Sequence, residues 1–264
     1  MNKTSIEWCD WSWNPVTGCL HGCRYAYCYN TVKATAPLNR FGAIYIENGQ
    51  RKTVKDWRSR ETGGLHIAEK GEINPYGYDP TFYPHRLDEP LRLRKPGRIF
   101  VVDAGDAFGQ WVPAEWIRKI LDVASRAPWH TFQFLTKNPG RYLEFEFPGN
   151  CWIGTTVNSD KDLSRAKALL SAKGKAPVLF LSIEPLLGEF TMDLEGFQWV
   201  IIGAQTGSRS PVRPEKSWIE GILNRAAGAG VPVFMKRNIA PYWDCLIHDF
   251  PVTNGLFHGS SPEG

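Results

Sequence analysis

No stretch of this chain is apolar for long enough to cross a bilayer, which takes about 20 consecutive apolar residues. The first residues also lack the apolar core of a secretion signal, and this predicts a cytoplasmic protein. P-loop, H-E-x-x-H and G-x-S-x-G motifs are all missing, as are internal repeats and coiled-coil heptads. These absences argue against a membrane protein, a P-loop nucleotidase, a zincin protease and a serine hydrolase.

A strong positive charge is also lacking. The net charge is only +4, from 31 Lys and Arg against 27 Asp and Glu, without the dense cationic stripe of a dedicated nucleic-acid binder. We therefore expect a small-molecule substrate, and nucleic acid is a less favoured partner. The 264 residues, 42% of them hydrophobic, are enough for a substantial core. We predict one domain over residues 1–245, with a polar insertion at about 46–77 and a loop-like tail over 246–264.

Cysteines are few but unevenly placed. Three of the six, Cys19, Cys23 and Cys28, fall within ten residues on a glycine-punctuated segment. In a reducing compartment, thiols this close hold metal more often than they form disulfides. Three thiolates can close around one iron–sulfur centre and leave one iron of a four-iron cluster without a protein ligand. The other cysteines are isolated, and we interpret them as buried or free thiols.

Short apolar runs alternate with amphipathic segments from residue 98 onward. Runs of β-branched and aromatic residues that are apolar at consecutive positions are typical of strands buried on both faces. We predict strands at 99–103, 131–136, 151–157, 178–183, 199–203 and 231–235, and helices at 114–125, 162–170 and 218–227. This alternation indicates parallel βαβ units. With one or two more strands before residue 90, it predicts an α/β fold, a (β/α) barrel of full or partial TIM type.

Polar or charged residues follow each predicted strand. The carboxyl ends of parallel strands meet at one face, so we expect these side chains to form a ring around one pocket. The ring comprises Asp103, Asp106, Thr136, Lys137, Thr155, Thr156, Asn158, Ser182, Glu184, Gln205, Lys236, Arg237 and Asn238.

Several motifs resemble the phage Gp37/Gp68-type family, a domain of unknown function (5131). They are WSWNPVTGC at 11–19 with the cysteine segment behind it, YDPTFYPHRL at 78–87, DAFGQWVP at 106–113, FLTK at 134–137, SIEPLL at 182–187 and PVFMK at 232–236. That family is similar to the radical S-adenosylmethionine (SAM) superfamily, and one branch includes a lyase that frees queuine from a queuosine-type nucleotide. The resemblance implies a (β/α) barrel with the cluster loop after the first strand, a [4Fe-4S] cluster and SAM. It also implies an electron donor such as flavodoxin or ferredoxin.

Site roles follow from that resemblance. The metal ligands would be Cys19, Cys23 and Cys28, although their C-x3-C-x4-C spacing departs from the usual C-x3-C-x2-C by two residues, at most about 7 Å of chain. Reductive cleavage of SAM would give a 5′-deoxyadenosyl radical that abstracts hydrogen from a phosphate-bearing, nucleoside-like substrate. The residues expected to bind SAM are Tyr27, Asp103, Asp106, Thr136, Thr155, Ser182 and Gln205. Catalytic roles are expected for Lys137, Glu184 and Lys236, and substrate contacts for His85, Arg86, Asn158, Lys236, Arg237 and Asn238.

Two other hypotheses stay open at this point. Cys19, His21, Cys23 and Cys28 could instead hold a structural zinc ion in a nucleic-acid-binding or phage accessory protein. Alternatively, the barrel could be a non-radical enzyme with phosphate-binding strand ends and incidental cysteines.

Overall fold

The computed structural model describes residues 1–23, 43–54, 60–206 and 211–253. Within these ranges the strands are β1 (Asn2–Lys3), β2 (Trp11–Trp13), β3 (Val16–Thr17), β4 (Ala43–Glu47), β5 (Gln50–Val54), β6 (His66–Ile67), β7 (Thr81–Phe82), β8 (Arg98–Val101), β9 (Thr131–Thr136), β10 (Cys151–Thr156), β11 (Val178–Ile183), β12 (Trp199–Ile202) and β13 (Val233–Met235). The α-helices are α1 (Glu89–Arg92), α2 (Ala114–Arg126), α3 (Leu163–Leu170) and α4 (Lys216–Ala229). Short 3-10 helices lie at Pro84–Arg86, Pro139–Glu144, Asp160–Asp162 and Arg237–Ile239.

The central sheet has eight strands in the order β1-β2-β8-β9-β10-β11-β12-β13. Only β1 runs antiparallel to its neighbour, and all other pairs are parallel. The mixed α/β architecture and the predicted strands are therefore confirmed. A closed barrel is not observed, because no hydrogen-bonded pair between the described residues joins the two edge strands of this sheet.

The sheet is nevertheless strongly curled around one side chain. The ring of Trp8 lies 4.7 Å from Phe100 of β8, 6.3 Å from Phe180 of β11 and 6.2 Å from Trp199 of β12. In a flat sheet, strands four places apart are separated by about 19 Å. Trp8 can touch β8 and β12 together only because the sheet bends around it. Gly154 leaves room for this, since a Cβ there would lie 2.5 Å from the Phe180 ring.

The outer face of the sheet is covered by helices. Helix α2 buries Trp116, Ile117, Ile120, Leu121, Val123 and Ala124. All but Val123 lie on one face by the 3.6-residue periodicity, and burial of that apolar stripe is what stabilises a helix of this length. Helix α4 ends where Gly230 takes a left-handed conformation, with φ of 65°, which glycine adopts without a steric penalty.

Among the described residues, the predicted insertion contains strand pairs, and the first residues of the predicted tail contact the central sheet. Strands β4 and β5 form an antiparallel hairpin, and β6 joins β7 and β3 in a small second sheet. After β13, Ile247 O accepts a hydrogen bond from Met235 N at 2.7 Å, and Asp249 N donates to Val233 O at 2.9 Å. Phe250 lies 5.2 Å from the Trp199 ring. The domain boundary at residue 245 stays a prediction. No helix among the described residues has the length and apolar content of a membrane span.

We predict that Trp8→Ala lowers the free energy of unfolding by about 3–5 kcal/mol, because it leaves a large cavity between β8 and β12. Trp8→Phe keeps an aromatic ring at this position, so its free energy of unfolding should fall by less. Urea denaturation followed by circular dichroism measures the loss. The control is Val252→Ala, whose side chain is 96% exposed and whose effect should stay within about 0.5 kcal/mol. Equal stability of Trp8→Ala and wild type would show that the sheet does not depend on this ring.

Candidate functional site

Cys19 is held at the carboxyl end of β8 by two glycines that approach each other closely. Gly18 N donates to Ala104 O at 3.0 Å, and Gly18 and Gly105 form a parallel bridge. A Cβ on Gly105 would lie 2.5 Å from Gly18 O, and one on Gly18 would lie 2.5 Å from Asp79 O. With φ of 91°, Gly18 also has a backbone conformation that residues with a side chain rarely adopt. Only glycine therefore fits at both positions.

The buried carboxylate of Asp106 connects this loop to β9. Its Oδ2 accepts hydrogen bonds from Thr136 Oγ1 at 2.9 Å and from the backbone N–H of Lys137 at 3.0 Å. Its Oδ1 accepts from Phe108 N at 2.9 Å, which closes a local turn of the kind that Asp favours. His21 Nε2, which lies between the first two cysteines of the loop, is 2.6 Å from Oδ2. One carboxylate thus fixes two strand ends and the loop relative to one another.

Lys137 points into the cysteine loop. Its Nζ lies 2.9 Å from Cys23 Sγ, a hydrogen-bonding distance for a sulfur acceptor. Burial raises the pKa of the Cys19 thiol to about 12, while a backbone hydrogen bond from His21 acts in the opposite direction. The charges of Asp106 and Cys23 raise this pKa further, so the two thiols interact electrostatically. A metal that binds such thiols displaces their protons, and a neighbouring ammonium favours the thiolate form.

The types of side chain in this loop are those that hold an iron–sulfur centre. Two thiols lie in one loop, and a cation contacts one of them. Among the described residues, no group of three or more His, Cys, Asp and Glu side chains is arranged to hold a metal ion. The expected third ligand, Cys28, and the expected adenine contact, Tyr27, lie outside the described residues.

His21 bears on the zinc alternative. One of its ring nitrogens engages Asp106, and its ring packs edge-on against Trp111 at 4.8 Å. Only the other nitrogen is left for a metal. This arrangement gives His21 a positioning role in the loop. Because zinc-bound histidines commonly donate their other ring N–H to a carboxylate, it also leaves the zinc alternative open.

A second polar group lies on the inner face of the curled sheet. Glu184, after β11, forms an ion pair with Lys236, after β13, and about a fifth of each side chain is exposed (23% and 20%). Gly203 makes room for the pair, because a Cβ there would lie 2.9 Å from Glu184 Cγ. Buried Ser182 lies two residues before Glu184, on the same face of β11. The three side chains expected at this end from the sequence are therefore on one side of the sheet.

Thr156 belongs with this group, although the sequence-based roles named Thr155 instead. Thr156 pairs in register with Ser182 and shares its face of the sheet. Thr155 points to the other face, where its Oγ1 donates to Thr136 O at 2.7 Å. Strict two-residue alternation from Trp152 would have selected Thr156.

Other predicted ligands support the backbone around the strand ends. Asn158 Nδ2 donates to Pro185 O at 2.8 Å. Asn238 both accepts from Ala204 N at 3.0 Å and donates to Ala204 O at 2.9 Å. Their predicted contacts with substrate stay predictions.

The loops after β12 and β13 are held in a similar way. Gln205 Oε1 accepts from Val212 N at 2.8 Å. The backbone N–H of Arg237 donates to Glu7 Oε2 at 2.9 Å, while the Arg237 side chain is 86% exposed. The Arg237 guanidinium also forms an ion pair with Glu7, with Nε 3.7 Å from Oε2, so Glu7 connects the N-terminal segment to the end of β13.

The remaining predicted residues surround the end of β2. Asp103 accepts a hydrogen bond from the Asn14 amide. The Arg86 guanidinium donates to Asn14 O at 3.2 Å and lies 3.8 Å above the Tyr83 ring. His85 packs edge-on against Tyr83 at 5.9 Å, and its pKa is lowered by burial and then by the charge of Arg86. Their predicted ligand contacts are likewise untested.

Comparisons with known proteins give a family but no activity. The profile of a family described as a protein of unknown function (DUF5131) matches residues 3–241. No curated protein matches the chain. One solved structure, a mutant of spore photoproduct lyase with dinucleoside spore photoproduct, matches at 14% identity with a TM-score of 0.42. The match covers 86% of this chain and 63% of that one, and a likeness at this level carries no argument about chemistry.

We predict that Asp106→Ala lowers the free energy of unfolding by about 3 kcal/mol, because buried donors lose their acceptor. Thermal and urea denaturation of the metal-free protein measure this loss without any contribution from a bound group. Asp193→Ala, at an exposed position, is the matched control and should change stability by less than about 0.5 kcal/mol. Indistinguishable curves for the two variants would contradict the anchoring role of Asp106.

Proposed function

The chain belongs to the DUF5131 family of proteins of unknown function, and we propose that it is a radical SAM enzyme with a [4Fe-4S] cluster. The observation that supports this most directly is the contact between Lys137 and the Cys23 thiol, beside Cys19, at the carboxyl ends of β8 and β9. In parallel sheets, this is the end at which functional groups collect.

The proposed cluster ligands are Cys19, Cys23 and Cys28, with Tyr27 against the adenine of SAM. When bound, the cluster and SAM would supply a one-electron cleavage that produces a carbon radical able to abstract hydrogen. The protein's own part is to hold the loop in place through Asp106 and His21, and to keep the site shielded from water. We assign Asp106 to this positioning role, because its oxygens already accept hydrogen bonds from Thr136, Lys137 and Phe108.

We assign the binding of SAM and substrate to the polar group on the inner face of the sheet, which consists of Ser182, Glu184, Thr156 and Lys236 and is called the inner group below. Glu184 can accept from an ammonium, Lys236 can donate to a carboxylate or phosphate, and the hydroxyls can bond a ribose. The exposed Arg237 adds a second cation at the rim. This combination supports a phosphate-bearing, nucleoside-like substrate, and a queuosine-type nucleotide with lyase chemistry is the specific candidate. A flavodoxin or ferredoxin would deliver the electron.

The first test measures the cluster. After anaerobic reconstitution we expect about four irons per chain and, on reduction, an EPR signal that changes when SAM is added. Cys19→Ala, Cys23→Ala and Cys28→Ala should each lose most of this iron and the SAM response. Cys245→Ala, at an exposed cysteine, is the control and should retain both. One zinc per chain with no SAM-dependent signal would instead favour the zinc-binding alternative.

The second test addresses the inner group. Glu184→Gln should keep its iron content but bind SAM about 10-fold more weakly or worse, because a hydrogen bond to a charged group contributes about 1.5–3 kcal/mol. Equilibrium dialysis against labelled SAM measures the affinity. Glu189→Gln removes the same charge at an exposed position and should bind as wild type does. Unchanged affinity in Glu184→Gln would remove Glu184 from the SAM site.

A further inference from the structure

We propose that Lys137 sets the reduction potential of the cluster by donating a hydrogen bond from its ammonium to Cys23 Sγ. The inference rests on the proposed function. It also departs from the sequence-based expectation, which gave Lys137 a catalytic role.

The first support is the direct contact. Lys137 Nζ is 2.9 Å from Cys23 Sγ, although the two residues are 114 positions apart in the chain. An N⁺–H donor to a thiolate sulfur draws electron density away from the metal–sulfur bond. Hydrogen bonds to the sulfurs and net charge are two of the factors that set the potentials of iron–sulfur clusters.

The second support is that the lysine backbone is fixed. Lys137 directly follows Thr136, the last residue of β9, and Asp106 Oδ2 binds the backbone N–H of Lys137 and the hydroxyl of Thr136. Asp106 also holds the cysteine loop from the other side through His21. The backbone that carries the donor and the loop that carries the sulfur therefore contact the same buried carboxylate, which brings them together without a bound substrate.

The third support is the environment of the contact. Cys23 and Lys137 are both partly buried, and Cys19 beside them is only 9% exposed. An ammonium acts more strongly on a neighbouring charge where water is partly excluded than on an exposed surface. Adding an electron to the cluster makes it more negative, so a fixed cation stabilises the reduced form and raises the potential.

The test is an EPR-monitored redox titration of the reconstituted full-length protein, without SAM or substrate. Lys137→Met should lower the equilibrium constant for one-electron reduction about tenfold, a shift of about 59 mV toward negative potential. Lys137→Gln, which keeps an N–H donor but no charge, should fall between Lys137→Met and wild type. Lys137→Arg keeps both the charge and an N–H donor, so its potential should stay close to that of wild type. The control is Lys167→Met, which removes the same charge from an exposed position on α3 and should leave the potential unchanged.

The outcomes separate this inference from the proposed function. If wild type binds no four-iron cluster, the proposed function fails and this inference falls with it. If the cluster is present and all Lys137 variants share the wild-type potential, only the inference is overturned, and the catalytic role expected for Lys137 from the sequence is the one left. If Lys137→Met and Lys137→Gln both lose their iron, the lysine has a structural role in cluster assembly, and the tuning role is again wrong.

Discussion

The buried carboxylate of Asp106 is the interaction on which the rest of the site depends. Its two oxygens accept hydrogen bonds from the end of β9 and from the turn after β8, and one of them also contacts His21 in the cysteine loop. A carboxylate at 4% exposure is tolerated only because these donors replace the water it loses. The same bonds determine where Cys23 and Lys137 lie relative to each other.

A second constraint acts on the whole sheet. Trp8 fills the inside of the curl, so strands that would stand far apart in a flat sheet contact one ring. The curl brings the end of β11 to the end of β13, where Glu184 and Lys236 meet. The aromatic core around Trp8 therefore helps to position the Glu184–Lys236 pair at the carboxyl ends of the strands. The inner face is therefore apolar in its middle and polar at the strand ends.

Much of the secondary structure could be predicted because it depends on local patterns. The strands β9 and β11 follow directly from runs of consecutive apolar, β-branched and aromatic residues, and the apolar stripe of α2 follows from 3.6-residue periodicity. We expected a full or partial barrel, and a closed barrel is not observed among the described residues, where β1 and β13 are the edges of the central sheet. Alternation of elements specifies parallel pairing, but closure depends on strand tilt and on the segments between the edges.

The sequence by itself determined the α/β class, the family and the cysteine segment as a candidate metal site, because each depends on patterns of residues that are close together in the chain. Only the tertiary structure decided which polar side chains share a face of the sheet and which form hydrogen bonds with backbone groups. Asn158 bonds to Pro185, Asn238 bonds to Ala204, and Lys137 contacts Cys23. These partners are distant along the chain, and their pairing depends on sheet register, curl and the buried carboxylate of Asp106 together. No local pattern contains that information.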